Sequence, residues 1–208
     1  HASMQEAAQR MQLKGCTVTL VRHSRLDELE NKIQELSAKH NRVWYVIDGV
    51  YSMYGDFAPV KELVKLLDKY SCFHLYADDA HGMSIAGNNG TGVVLSQVEL
   101  HDKMILATSL NKAFAAGGGV FVMKSEALAQ KIKNCGGSMI FSGPHQIPSI
   151  AAGIASAKIH LSSEISIRQE ALKERLNYCH NLLVNKYNLP VISNPEAPIT
   201  FIGLGLTR

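Results

Sequence analysis

No C-x-x-C pair, no apolar run of eighteen residues and no basic stretch interleaved with aromatics occurs in this chain. The first absence leaves the four cysteines, at 16, 72, 135 and 179, without the spacing of a zinc ribbon or a redox motif; with no secretory signal, they are expected as reduced thiols of a cytoplasmic protein. The second excludes a helical membrane span. The third argues against nucleic-acid binding: the densest basic stretch, Lys124 to Lys133, also carries Glu126 and reads as a solvated helix face. Nine histidines are present without H-E-x-x-H or any other ligand spacing, so no metal site is expected. No G-x-S-x-G elbow occurs, the run Gly117-Gly118-Gly119 is not a G-x-G-x-x-G fingerprint, and neither repeats nor low-complexity segments are visible. What remains is an ordinary globular composition, 46% hydrophobic and 19% charged with a net charge of +3, enough for a sizeable core. The chain begins at His1 without a methionine, so something upstream is expected to be missing.

Apolar periodicity alternates between two kinds of segment. Met4, Ala7, Ala8 and Met11 form one helical stripe over residues 3–13, and Leu26, Leu29, Ile33 and Leu36 form another over 26–38. Pro59 suits the first turn of a helix over 60–70, residues 126–133 read as helical, and residues 148–187 fit one long helix or two consecutive ones. Strands are expected at 16–21, 43–47, 73–77, 104–107, 120–123 and 199–204, that at 43–47 buried on both faces. Strands alternating with helices imply an α/β fold, a mainly parallel sheet flanked by helices on both sides. In such sheets ligands gather at the carboxyl ends of the strands.

Asp48, Asp78, His81, Ser109 and Lys112 all fall at that edge. Tyr76-Ala77-Asp78-Asp79-Ala80-His81-Gly82 closes one strand with two carboxylates and a histidine; Ala107-Thr108-Ser109-Leu110-Asn111-Lys112 closes another with Ser-x-x-Lys. That pairing is what a pyridoxal 5'-phosphate (PLP) pocket needs: a carboxylate to keep the pyridine nitrogen protonated, an amine for a Schiff base and a hydroxyl for the phosphate. Asp78 can alternatively cap the turn at Ala80-His81-Gly82, His81 can be a structural hydrogen bonder and Lys112 can be a surface residue. The flanking Leu110, Ala113 and Phe114 suggest a desolvated Lys112, which would favour the neutral, nucleophilic amine. Ser52, downstream of the strand ending at Asp48, lies on the same edge, whereas Ser142 and His145 read as loop residues.

Taken with Asp48-Gly49-Val50-Tyr51-Ser52-Met53-Tyr54-Gly55-Asp56-Phe57-Ala58-Pro59 and Gly87-Asn88-Asn89-Gly90-Thr91-Gly92, these motifs resemble the α-oxoamine synthases, PLP enzymes of the aspartate aminotransferase fold. The resemblance runs along nearly the whole chain. It implies that His1 stacks on the cofactor ring, Ser52 contacts the cofactor, Asp78 pairs with the pyridine nitrogen and His81 bonds the phenolic oxygen. By the same resemblance Ser109 holds the phosphate, Lys112 carries the Schiff base, and Ser142 reaches the phosphate of the partner subunit in a homodimer. The implied reaction is an acyl transfer that joins an amino acid to an acyl-CoA thioester with loss of carbon dioxide. An aminotransferase or aldolase on the same fold, or a truncated cofactor-binding fragment without turnover, are the alternatives. Departures from the family pattern fall at Ser109, Asn111 and Gly143. Residues 1–190 correspond to the large PLP-binding domain without its amino-terminal part, and 191–208 to the beginning of a small carboxyl-terminal domain, so the chain is expected to be the central portion of a longer enzyme.

Overall fold

The computed structural model describes residues 2–205. In chain order the elements are α1 (Ala2–Leu13), α2 (Leu26–Ser37), β1 (Val43–Asp48), β2 (Val50–Tyr51), β3 (Asp56–Phe57), α3 (Val60–Lys69), β4 (Phe73–Asp78), α4 (Val93–Gln97) and β5 (Met104–Ser109). Next come β6 (Gly119–Val122), α5 (Glu126–Cys135), α6 (Gly137–Ile140), α7 (Ile147–His160) and α8 (Glu164–His180), which runs on into π-helical Asn181–Lys186.

Four strands form one sheet in the order β1-β4-β5-β6. β1, β4 and β5 are parallel and β6 returns antiparallel to β5. The register sets the carboxyl ends of the parallel strands level, with Asp48 beside Asp78 and Asp78 beside Ala107. Ser109 then pairs with Gly119 of β6. Alternation along each strand sends Phe73, Leu75 and Ala77 to one face and His74, Tyr76 and Asp78 to the other. The first face carries the core. Leu29 and Ile33 of α2 and Val60, Leu63 and Leu67 of α3 close over Ile47, Phe73, Leu75, Met104 and Leu106. Both helices form for the same reason: an apolar stripe at 3.6-residue period that has a sheet to cover.

The opposite face is where expectation and structure part. β1 is not buried on both sides, because Trp44 and Val46 are 40% and 45% exposed, and Phe121 of β6 is 49% exposed on that face. Residues 16–21 form no strand and are mostly exposed; a β-branched run becomes a strand only where a neighbour supplies the ladder, and none among the described residues lies beside it. Residues 199–204 make no strand either, only an isolated bridge between Val191 and Ile202. The stripe on α1 meets nothing that buries it. Residues 148–187 do resolve as two helices, parted where the Ser162 hydroxyl accepts from Glu164 N at 3.2 Å and starts a new amino terminus.

Candidate active site

β4 delivers Asp78 and Asp79 to opposite sides of the sheet. Asp78 is half-buried on the bare face, and one carboxylate oxygen accepts from Ala80 N at 3.0 Å, the turn that carries the chain toward His81. Asp79 points into the covered side, 1% exposed, where Oδ2 accepts from Val94 N at 2.9 Å and so caps α4. Oδ1 has no hydrogen-bond partner among the described residues. A Cβ on Gly49, Gly82 or Gly92 would collide with this carboxyl, and Gly92 also has a φ of +101°, so glycine is required there twice over. Burial pushes the Asp79 carboxyl up to about 7, against the pull of the Val94 and Val93 amides.

β5 ends in Ser109, and the chain then closes a loop that displays Lys112. Leu110 N donates to Gly118 O at 2.9 Å, Ala116 N to Leu110 O at 2.7 Å, and Gly118 N to Asn111 Oδ1 at 3.1 Å. Asn111 therefore ties the loop's two ends together, a role that only the folded loop reveals. The triple glycine is a turn, with Gly118 at a φ of +105°. Across from β4, Lys112 Nζ lies 2.8 Å from His81 Nε2. Burial first, and the Lys112 charge second, lower the affinity of His81 for a proton, which suits the ring to accept from the lysine. Lys112 itself is exposed, so the desolvation expected from its apolar neighbours is not supplied by the described residues.

A cleft of about 620 Å³ opens on the bare sheet face, lined by Tyr76, Asp78, Ala107, Ser109, Gly119 and Phe121 together with residues of α5 and α6. Asp78 and Ser109 thus share one cleft, while His81 and Lys112 meet each other beside it. Asp48, 6% exposed, stands next to Asp78 in register; burial and the Asp78 charge both raise its affinity for a proton. Ser52 sits half-buried in the β2–β3 turn and is not among the residues that line the cleft. Ser142 is exposed in the loop before α7. His1 lies outside the described residues.

Three comparisons bear on this arrangement. The 8-amino-7-oxononanoate synthase of Treponema denticola is 30% identical over 206 residues, covering 99% of this chain and 50% of the relative. The 5-aminolevulinate synthase of Rhizobium meliloti is 29% identical over 196 residues, covering 94% of this chain and 46% of the relative. The chain therefore spans about half the length of the curated relatives it matches. Among solved structures, a serine palmitoyltransferase from S. paucimobilis with a bound PLP–myriocin aldimine superposes with a TM-score of 0.74 at 21% identity, over 89% of this chain and 46% of that one. The 8-amino-7-oxononanoate synthase from Francisella tularensis gives 0.69 at 22% identity, over 94% and 54%. At such identities the superpositions speak for the fold. The profile of the aminotransferase class I and II family matches residues 1–207, and the chain belongs to that family.

Proposed function

We propose that this chain forms the cofactor-holding part of a PLP-dependent acyltransferase, which condenses an amino acid with an acyl-CoA thioester and releases carbon dioxide. The observation that carries the reading is the meeting of Lys112 with His81 at 2.8 Å, beside a cleft that Asp78 and Ser109 line. The relatives named as 8-amino-7-oxononanoate and 5-aminolevulinate synthases support the reaction class.

The donor set fits the cofactor. Asp78 offers a carboxylate for a ring nitrogen, and its neighbour in register is the small Ala107, which leaves room over the sheet. Ser109 offers a hydroxyl and Lys112 a primary amine. When bound, the cofactor supplies an electron sink for charge developing at the substrate α-carbon. The chain's own part is positional and protonic. Lys112 Nζ would hold the cofactor and would be the group to take the substrate α-proton. His81 Nε2 holds that amine at 2.8 Å and would reach the ring oxygen; Asp78 would face the ring nitrogen, and the Ser109 hydroxyl would donate to the phosphate. His1 and Ser52 complete the cofactor's surroundings in this reading.

Further proposals rest on the same relatives. Residues 1–190 form the large domain and 191–208 begin a small one. The assembly is a homodimer with the site at its interface, supported by Phe141 and Ile147, 87% and 81% exposed, flanking Ser142. The location is the cytoplasm, supported by four free cysteines; no helix among the described residues is long and apolar enough to cross a membrane.

Incubation of the full-length protein with PLP, borohydride reduction and peptide mass mapping should place the label on Lys112. A label elsewhere, or none, defeats the proposal. Glycine, alanine and serine, each combined with acyl-CoA thioesters of several lengths, should then release free thiol. The matching family also contains aminotransferases, and conversion of an amino acid to its oxo acid without thiol release would favour that second reading. Because the chain spans about half of its relatives, cofactor attachment without any turnover would mark it as a binding fragment.

A further inference from the structure

Three buried polar side chains lie behind the lysine loop, and none belongs to the machinery described above. Ser84, His160 and Ser156 are 7%, 7% and 9% exposed. His160 Nδ1 lies 2.8 Å from the Ser156 carbonyl oxygen, which can only accept, so Nδ1 carries a hydrogen and donates there. Ser84 Oγ lies within hydrogen-bond distance of the other ring nitrogen, 2.8 Å from Nε2. Ser156 Oγ donates to Phe114 O at 2.5 Å, and the Phe114 ring lies 4.6 Å from the imidazole. The chain of contacts begins three residues after His81 and ends two residues after Lys112.

Hydrogen bonds and close contacts together hold this geometry. The lysine loop meets α7 directly, since a Cβ on Gly117 would strike Ser149 Oγ and one on Gly153 would touch Ala116, while a cleft of about 440 Å³ lined by Ala113, Ala115, Ala152 and Ala155 opens beside that contact. Ser84 keeps a φ of +73°, a conformation costly for a residue with a Cβ, and Gln169 of α8 clamps it there by donating to Ser84 O and Gly87 O at 3.1 Å each. Gly90 lies so close to the imidazole that a Cβ there would press on it.

We propose that Ser84, His160 and Ser156 form a positioning strut that sets His81 against Lys112. The inference rests on the proposed function only in taking Lys112 as the reactive amine. Loss of the strut lets the two loops drift and frees the lysine from its histidine partner.

The test needs no cofactor. Full-length protein is treated with acetic anhydride, and acetylation of Lys112 relative to exposed Lys186 is read by peptide mass mapping, beside the melting temperature. Ser84→Gly is the decisive variant, because it removes the hydroxyl while easing the backbone. Lys112 labelling should rise about fivefold, the population shift that one lost buried hydrogen bond brings, with no fall in melting temperature. Ser156→Ala should behave alike, and Ser156→Thr, which keeps the hydroxyl, should restore the wild-type ratio. In a His81→Ala background labelling should already be high, and Ser84→Gly should add nothing. A folded Ser84→Gly protein with wild-type labelling, or an equal rise in the His81→Ala background, overturns the strut. Failure of PLP to attach to Lys112 would sink the proposed function and leave this result standing.

Discussion

Asp78 and Asp79 are consecutive carboxylates with opposite surroundings, and substitution should separate them. Asp78 is half-buried and accepts one backbone hydrogen bond, from Ala80 N, which an asparagine oxygen can keep. Asp78→Asn should leave the melting temperature nearly unchanged while turnover falls by orders of magnitude, because a neutral amide cannot hold a ring nitrogen protonated; near-normal turnover would remove the assigned role. Asp79 is a stability residue with a pH signature. Its carboxyl is raised from 3.8 to about 7, so the native state holds a proton that the unfolded chain releases in that window. Its contribution is therefore most favourable at acid pH and declines as pH rises from 3.8 toward 7, by up to about 4 kcal/mol. Asp79→Asn removes the titration, so the variant should gain on the wild type between pH 4.5 and pH 7.5 in urea midpoints. A difference that does not change with pH would show that the carboxyl is not buried as described. That Asp78, His81 and Lys112 gather at one edge of the sheet was legible in the sequence, because each falls at or just after the end of a strand. Asp79 and Asn111 were not, since each acts through one distant backbone amide, Val94 N and Gly118 N, that only the fold brings near.

Elements were legible where their apolar pattern found a partner surface. α3 shows this: Val60, Leu63 and Leu67 recur at helical spacing and all are fully buried against the sheet. α7 is apolar as well, but Ile147, Ile150 and Ile154 lie 81%, 48% and 55% exposed. The contrast is measurable. Leu63→Ala should lower unfolding stability by about 3 kcal/mol through lost burial and a residual cavity, whereas Ile154→Ala should change it by about 0.5 kcal/mol or less. Equal losses at the two positions would mean that α7 is packed as tightly as α3. The same distinction explains the segments that composition misassigned. Residues 16–21 and 199–204 have strand-like side chains, but a strand is a relation between two segments, and among the described residues no continuous ladder lies beside either.

At the scale of the molecule, helices close one face of the sheet and cover the other only in part, leaving apolar side chains exposed there, a boundary that composition did not disclose. An α/β alternation implies cover on both faces; α2 and α3 close one, and α5 and α6 cover the other in part, in a chain about half as long as its curated relatives. Trp44, the single tryptophan, reports on the bare face: it is 40% exposed and its ring centroid lies 4.8 Å from that of His74. Burial lowers the affinity of His74 for a proton below its ordinary value of 6.5, so the native ring stays neutral until the pH falls beneath that value. This group's contribution to stability is full above pH 6.5 and is lost as the pH drops, because the unfolded histidine takes up a proton first. In the 208-residue chain, Trp44 should emit at the long wavelengths of a hydrated indole, be quenched readily by acrylamide, and dim only below pH 6.5 as the neighbouring imidazolium forms. His74→Leu should abolish the dimming and leave the acrylamide quenching intact. A short-wavelength, quencher-resistant emission that shifts on dilution would show instead that copies of the chain cover this face for one another.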